Sequence, residues 1–147
     1  MARALRIDKL TLAALEATLR LYLDPKKALE QVPTLRMMSL PIEELQRRCD
    51  NLLPRLVTHI GESANCTIIE MTATVGGGAL PLAELPGRVI ALTPKQISLN
   101  ELITRLRRCE PAVIGRIQDD RFLIDPRTLN QEDEGLLLKA LQQIFCR

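Results

Sequence analysis

Aromatic side chains are nearly missing from this chain: it has no tryptophan, one tyrosine and two phenylalanines in 147 residues. A core must therefore be built from Leu, Ile, Val, Ala and Met. A base-stacking nucleic-acid platform, which needs flat side chains, is disfavoured. Histidine is as scarce, with His59 alone. The four cysteines, Cys49, Cys66, Cys109 and Cys146, stand far apart and form no CxxC. Zinc needs clustered thiolates or imidazoles, so no metal site is expected, and a disulfide framework is not expected at this length. The cysteines read as reduced thiols that mostly fill the core. No apolar run approaches the roughly 20 residues of a membrane span. Glu16 and Arg20 interrupt the first Leu/Ala stretch, so no signal-peptide core follows the basic start. The expectation is a soluble, cytoplasmic protein with no membrane partner.

A catalytic relay is also missing. His59 has no obvious partner, and no nucleophile motif surrounds any serine or cysteine. Lys9, Lys26, Lys27, Lys95 and Lys139 sit in polar settings, not in the apolar surroundings that activate a Schiff-base lysine. The residues alone supply no complete active site.

What is present is an ordinary globular composition. Apolar residues make up 46% and charged residues 26%, with a net charge of +2. That charge is well short of a polybasic nucleic-acid arm.

Helical periodicity comes first. Leu12, Leu15, Leu19 and Leu23 fall on one stripe, predicting a helix over residues 8–23 with a Glu16–Arg20 pair at i,i+4. Asp24-Pro25 ends it. Residues 26–31 add a turn or two before Val32-Pro33, and residues 34–40 read as a connector. A helix over 41–60 comes next, with Leu45, Leu52, Leu56 and Ile60 inward, Pro54 as a kink and Gly61 as C-cap.

The period then changes from 3.6 to 2. Strands are expected at 67–72 and 88–92, with Pro86-Gly87 as a turn, and a hairpin at 112–118 and 121–125 across Asp119-Asp120. Ser98 opens a capping box for a helix to about residue 108, and Asn130 starts a last helix over 132–145. The order implies an α+β fold: a mostly antiparallel sheet with helices on one face. Residues 1–33 read as a helical arm and residues 34–147 as a small domain.

Three features could carry chemistry. Arg3 and Arg6 at i,i+3 would point the same way on a helical lead-in and could clamp an oxyanion; a frayed basic terminus is the plainer reading. Gly76, Gly77 and Gly78 could bring backbone N–H groups to an anion, or simply turn the chain; they lack both P-loop and dinucleotide spacing. Arg105, Arg107, Arg108, Arg116, Arg121 and Arg127 make the last third basic, as a solvated face or an RNA contact.

Four stretches carry a resemblance. The segment from Arg3-Ala4-Leu5-Arg6 through Leu19-Arg20 resembles the part of bacterial L-seryl-tRNA(Sec) selenium transferases (selenocysteine synthases) that leaves the catalytic domain. Pro33-Thr34-Leu35-Arg36-Met37 is similar to that family's segment before its small domain. Val75-Gly76-Gly77-Gly78-Ala79-Leu80-Pro81 with Glu84-Leu85-Pro86 is similar to its VGGGSLP…ELP stretch. Pro111-Ala112-Val113-Ile114-Gly115-Arg116-Ile117, residues 121–125 and Arg127-Thr128-Leu129 are similar to its hairpin.

The resemblance implies the C-terminal portion of a type I pyridoxal-phosphate enzyme: the connecting helix and the small domain. The cofactor lysine would lie upstream of Arg3, and Met1-Ala2 would be a start joined to an excised piece. The parent would convert seryl-tRNA(Sec) to selenocysteinyl-tRNA(Sec) with selenophosphate, as a homo-oligomer. The resemblance places Arg3 and Arg6 at the phosphate-bearing selenium donor and Gly76, Gly77 and Gly78 in a loop facing the active site. Ala79 stands where the family usually has serine. The piece alone would bind no cofactor and be inactive. Two alternatives stay open: a stand-alone module self-associating through residues 8–23, and a related cofactor enzyme acting on a small amino-acid or sugar-phosphate substrate.

Overall fold

The structure is a computed structural model that describes residues 6–75 and 84–145. Two compact units divide it, Met1–Leu40 and Pro41–Arg147.

The described residues of the first unit form three helices. Helix α1 (Lys9–Leu21) starts where the Asp8 carboxylate accepts the backbone N–H groups of Leu10 and Thr11. The Thr11 hydroxyl donates to the same carboxylate, and these bonds, the hydroxyl's first, hold Asp8 below the usual carboxylate pKa. Helix α2 (Pro25–Gln31) has Pro25 in its first turn and Asp24 as its cap, so the expected break at Asp24-Pro25 is also a helix start. Residues 34–40, expected as a connector, instead lie largely in a third helix, α3 (Pro33–Met38). Proline at its first position costs nothing there, because that N–H has no helical acceptor. α3 packs on α2.

The second unit is α+β, as expected. Helix α4 (Ile42–Ile60) buries Leu45, Cys49, Leu52, Leu56 and Ile60 along one stripe. It ends at Gly61, whose φ of 56° favours glycine. Strands β1 (Ala64–Thr74) and β2 (Glu84–Pro94) pair antiparallel along their whole length, from Ala64↔Pro94 to Thr74↔Glu84. Helix α5 (Leu99–Arg107) is capped by Ser98, whose Oγ accepts from the Glu101 N–H. Strands β3 (Arg116–Gln118) and β4 (Arg121–Ile124) form a hairpin across the predicted turn, but its first strand is shorter than the expected 112–118: residues 112–115 pair with no strand and are not extended into the ladder. Asp119 and Asp120 both take positive φ, which such a two-residue turn requires. Asn130 caps α6 (Gln131–Phe145): its side chain accepts from Glu132 and Asp133, and Asp133 accepts from the Asn130 N–H.

The sheet order is β1-β2-β4-β3. Its face bearing Ile90, Leu92, Phe122 and Ile124 meets Leu52, Leu56, Leu102, Leu106, Leu138 and Leu141 from α4, α5 and α6. The opposite face carries a smaller buried group, Val89, Ala91 and Leu123, with Ile69 and Met71 beside it. Arg55 on α4 reaches Glu134 on α6 at 2.6 Å. Among the described residues no helix is long and apolar enough to cross a membrane.

The strands run longer than the expected 67–72 and 88–92, and Pro86-Gly87 is not a turn but part of β2. Proline is tolerated there because Pro86 lies beyond the three residues of β2 that also pair with β4.

Candidate functional site

Arg3, Gly76, Gly77 and Gly78 lie outside the described residues. Arg6 is exposed, two residues before the Asp8 cap. Residues 6–8 are not helical, and Asp8 is extended, with φ −75° and ψ 165°. The helical lead-in expected for the Arg3/Arg6 pair is therefore not continued through residues 6–8. Capping demands this: a side chain bonds back to N2 and N3 only from an extended cap.

β1 and β2 bring Thr74 and Glu84 opposite each other. The glycine run therefore lies on the chain between the far ends of a long hairpin.

Among the described residues, the buried charged side chain sits in an arrangement that the sequence pattern does not announce. Arg127, counted among a basic solvated face, is only 7% exposed. It sits in a short 3-10 turn (Pro126–Thr128). Its backbone N–H donates to Asp125 Oδ1 at 2.9 Å, and the Thr128 hydroxyl donates to the Asp125 carbonyl at 3.1 Å. Arg48 of α4 donates to the Pro126 carbonyl at 3.3 Å. The Arg127 guanidinium in turn donates from Nη2 to the Pro86 carbonyl of β2 at 2.9 Å. A Cβ on the neighbouring Gly87 would stand 3.1 Å from that Nη2 and 3.6 Å from Leu45 Cδ1. The sequence signals for this arrangement are the Arg127-Thr128-Leu129 motif and the Pro86-Gly87 pair, which composition alone reads as a turn.

Arg107, Arg108 and Arg116 are exposed, whereas Arg105 and Arg121 pair with Glu101 and Asp119. A half-open, mostly apolar cleft of about 230 Å³ lies beside the β3–β4 hairpin, with Met71, Ile114 and Leu123 among its walls and Arg116 and Asp125 as its charged groups. His59 Nδ1 donates to the Arg55 carbonyl at 2.7 Å, within the last turns of α4.

Burial pushes the Cys49 thiol up to about 12, with Asp125 and Asp50 adding to the shift, and the Cys66 thiol up to about 11. Both stay protonated and inert at neutral pH. Cys109 is a free thiol, and Cys146 lies outside the described residues. No cluster of His, Cys, Asp or Glu among the described residues could hold a metal ion. All five lysines, Lys9, Lys26, Lys27, Lys95 and Lys139, are exposed. An aldehyde cofactor needs a lysine amine desolvated in a pocket. These residues do not fit such a cofactor.

Comparison with known proteins decides the family. Residues 1–130 match the L-seryl-tRNA selenium transferase family. The chain belongs to that family. The L-seryl-tRNA(Sec) selenium transferase of Desulfovibrio desulfuricans is 48% identical over 99% of this chain and 31% of its own length. That of Geotalea uraniireducens is 47% identical over 98% of this chain and 31% of its own length. That of Nitratidesulfovibrio vulgaris is 45% identical over 96% and 30%. The chain thus spans about a third of the length of the curated relatives it matches, and corresponds to a C-terminal portion of them.

Proposed function

We propose that this chain is the C-terminal portion of a pyridoxal-phosphate-dependent enzyme that converts L-seryl-tRNA(Sec) to L-selenocysteinyl-tRNA(Sec) with selenophosphate as selenium donor. The observation that carries this reading is the family match through residues 1–130, which includes the arginine segment, the glycine run and the hairpin. The cofactor, when bound, supplies the electron sink for replacing the seryl hydroxyl by selenium. This chain's lysines do not hold it, so on its own the chain is inactive.

The chain's own contribution is to position charge. Arg3 and Arg6 hold the anionic oxygens of the donor through charge-assisted hydrogen bonds, and the guanidinium fork matches a phosphate better than an ammonium does. Gly76, Gly77 and Gly78 bring backbone close to the donor, because a segment without Cβ atoms admits an anion to its N–H groups. Seryl-tRNA(Sec) and further copies of the enzyme are its partners.

The test is selenium transfer by the full-length enzyme carrying Arg3→Ala, Arg6→Ala or the matching lysine substitutions. Loss of one charge-assisted bond lowers turnover roughly tenfold to a hundredfold, and lysine restores part of it. Wild-type turnover in both alanine variants would reduce the pair to a solvated basic segment.

A second reading has an observation of its own. Leu12, Leu15, Leu19 and Leu23 on and just beyond α1 are 51%, 48%, 56% and 84% exposed. Self-association through residues 8–23 would cover them. Sedimentation of the chain separates the two: a monomer across the micromolar range removes the second reading.

A further inference from the structure

β3 and β4 stay together only near their turn. Arg116, Ile117 and Gln118 pair with Leu123, Phe122 and Arg121, while residues 112–115 lie outside the ladder. The half-open cleft of about 230 Å³ is lined by Val113, Ile114 and Gly115 from that departing segment and by Asp125, Thr128 and Leu129 from the chain after β4. Gly115 lets the two segments lie close: a Cβ there would overlap the ring of Phe122, which is itself buried. Arg116, the next residue, is therefore mounted beside a packed ring and on a paired strand.

Two charged residues line the cleft, and both have bonding capacity to spare. The exposed Arg116 guanidinium makes no hydrogen bond or ion pair among the described residues, whereas Arg105 and Arg121 are paired. Asp125 gives Oδ1 to the Arg127 N–H at 2.9 Å, and nothing among the described residues bonds its other oxygen. A guanidinium, a carboxylate oxygen and apolar walls are thus open to one ligand.

Together they define its chemistry. The cleft falls short of the roughly 300–1,000 Å³ that takes a drug-sized molecule, so it holds one ring-sized group. Walls such as Met71, Ile114 and Leu129 suit the faces of a flat heterocycle, because a single base is held between apolar as well as aromatic side chains. The scarcity of aromatics excludes a row of stacked bases, not one slot. A carboxylate oxygen accepts from an exocyclic amine, which adenine carries and uracil lacks. A guanidinium takes a phosphate.

We infer that this cleft is a subsite for the 3′-terminal adenosine of seryl-tRNA: the base lies between the apolar walls, its amine donates to Asp125 and its phosphate rests on Arg116. The inference rests on the proposed function, which makes seryl-tRNA the substrate, since a tRNA carries its amino acid on a terminal adenosine.

Two measurements test it. The first is NMR titration of the chain with adenosine 5′-monophosphate, uridine 5′-monophosphate, inorganic phosphate and leucine, on wild type, Arg116→Ala and Ile114→Glu. Both substituted side chains are exposed, and unshifted amides in α4 and β2 check that the fold holds. The adenosine nucleotide shifts amides of residues 113–116 and 124–129, binds about tenfold more tightly than the other three probes, and loses about tenfold in Arg116→Ala, as expected for one bond to a charged donor. Ile114→Glu weakens it as well, by setting a like charge beside the phosphate. No shift at millimolar nucleotide overturns the subsite. Equal binding of the uridine nucleotide overturns the contact at Asp125, and leucine binding as tightly as the adenosine nucleotide makes the cleft a site for a zwitterion and overturns the inference.

The second measurement is kinetics of the full-length enzyme. KM for seryl-tRNA rises about tenfold in Arg116→Ala, while kcat and KM for selenophosphate hold. An unchanged seryl-tRNA KM means that the RNA end does not use the cleft, and overturns the subsite. A wild-type enzyme that transfers no selenium overturns the proposed function; the titration then still decides whether the cleft takes an adenine nucleotide.

Discussion

Helices α1 and α4 are written in the same pattern and end up in opposite environments. Each carries an apolar stripe at helical spacing, its residues three or four apart. α4 buries its stripe completely, with Leu45, Leu52 and Leu56 at 0% exposure. α1 buries no residue at all. The difference does not come from local helix signals, since α1 has a well-formed aspartate cap and a Glu16–Arg20 pair at 2.8 Å, whereas α4 lacks a side-chain cap and contains Pro54. It comes from what meets the stripe. α4 meets a sheet face of Ile90 and Leu92 and the inner side of α6. Periodicity says which side of a helix is apolar; only tertiary partners decide whether that side is covered.

The largest expected effect exploits that contrast. Leu52→Ala removes a fully buried side chain from the packed face of α4. It is expected to destabilise the second unit by about 2–5 kcal/mol, as large-to-small core substitutions do. Leu15→Ala on α1, at 48% exposure, is expected to change stability by about 0.5 kcal/mol or less. Urea unfolding of both variants checks the pair. Equal losses would mean that the α1 stripe is covered in solution, which sedimentation would then trace to a second copy.

A smaller effect lies at the end of α4. Gly61 has φ 56° and ψ −138°, and a Cβ there would meet nothing within 4 Å. Gly61→Ala therefore costs backbone strain alone, about 1–3 kcal/mol. The same substitution at Gly135, inside α6 and also facing open space, is expected to stabilise by about 0.4–1 kcal/mol. Thermal melts of the two variants should move in opposite directions.

Local signals are legible in the sequence to the extent that they act locally. The stripe of α4, the Gly61 cap, the Ser98 and Asn130 caps and the Asp119-Asp120 turn each depend on residues within a few positions of one another, and each is present. Pro86 and Gly87 escape a local reading because their role depends on Arg127, 41 residues beyond Pro86. Proline and glycine look like a turn until a guanidinium from another element is seen to need a bare carbonyl and a missing Cβ. Arg127 escapes it for the matching reason: arginine in a basic run reads as solvated, and its burial depends on how the 3-10 turn, β2 and α4 converge. The α3 helix is hidden in the sequence because Pro33 both stops the segment before it and makes a good first residue for a new helix.

The thiols extend the contrast between covered and uncovered positions. Cys49 is buried on α4 and Cys66 partly buried on β1, and burial raises their pKa values to about 12 and about 11 from the ordinary 9.0. A thiol raised in the folded state is more easily ionised once unfolded. Its contribution to stability is complete below pH 9 and is lost as pH climbs from 9 toward 11 and 12. Stability should therefore fall along that alkaline limb, and Cys49→Ala and Cys66→Ala should flatten it in chemical unfolding followed at several pH values. In the native chain at about pH 8, a thiol reagent should leave Cys49 and Cys66 unmodified on the time in which it labels both in urea.

The smallest effect comes from the solvated side of α4, and it has the opposite sign in pH. Side-chain hydrogen bonds from Arg47 and then Arg48, with their charges, hold the Glu44 carboxyl at about 2 against an ordinary 4.5. The bonds are short: Arg47 Nε lies 2.7 Å and Arg48 Nε 2.8 Å from its oxygens. A carboxyl depressed in the folded state stabilises above its unfolded pKa, and the contribution is lost as pH falls from 4.5 toward 2. Solvent and salt screen this cluster, unlike the contacts on the helix's other side. Glu44→Gln should therefore lower the melting midpoint slightly at about pH 7, and the gap between variant and wild type should close near pH 2 and narrow in roughly 1 M salt. A gap that persists unchanged at the acid end would show that Glu44 acts through packing on α4 and not through its charge, and would place it with the covered residues of that helix.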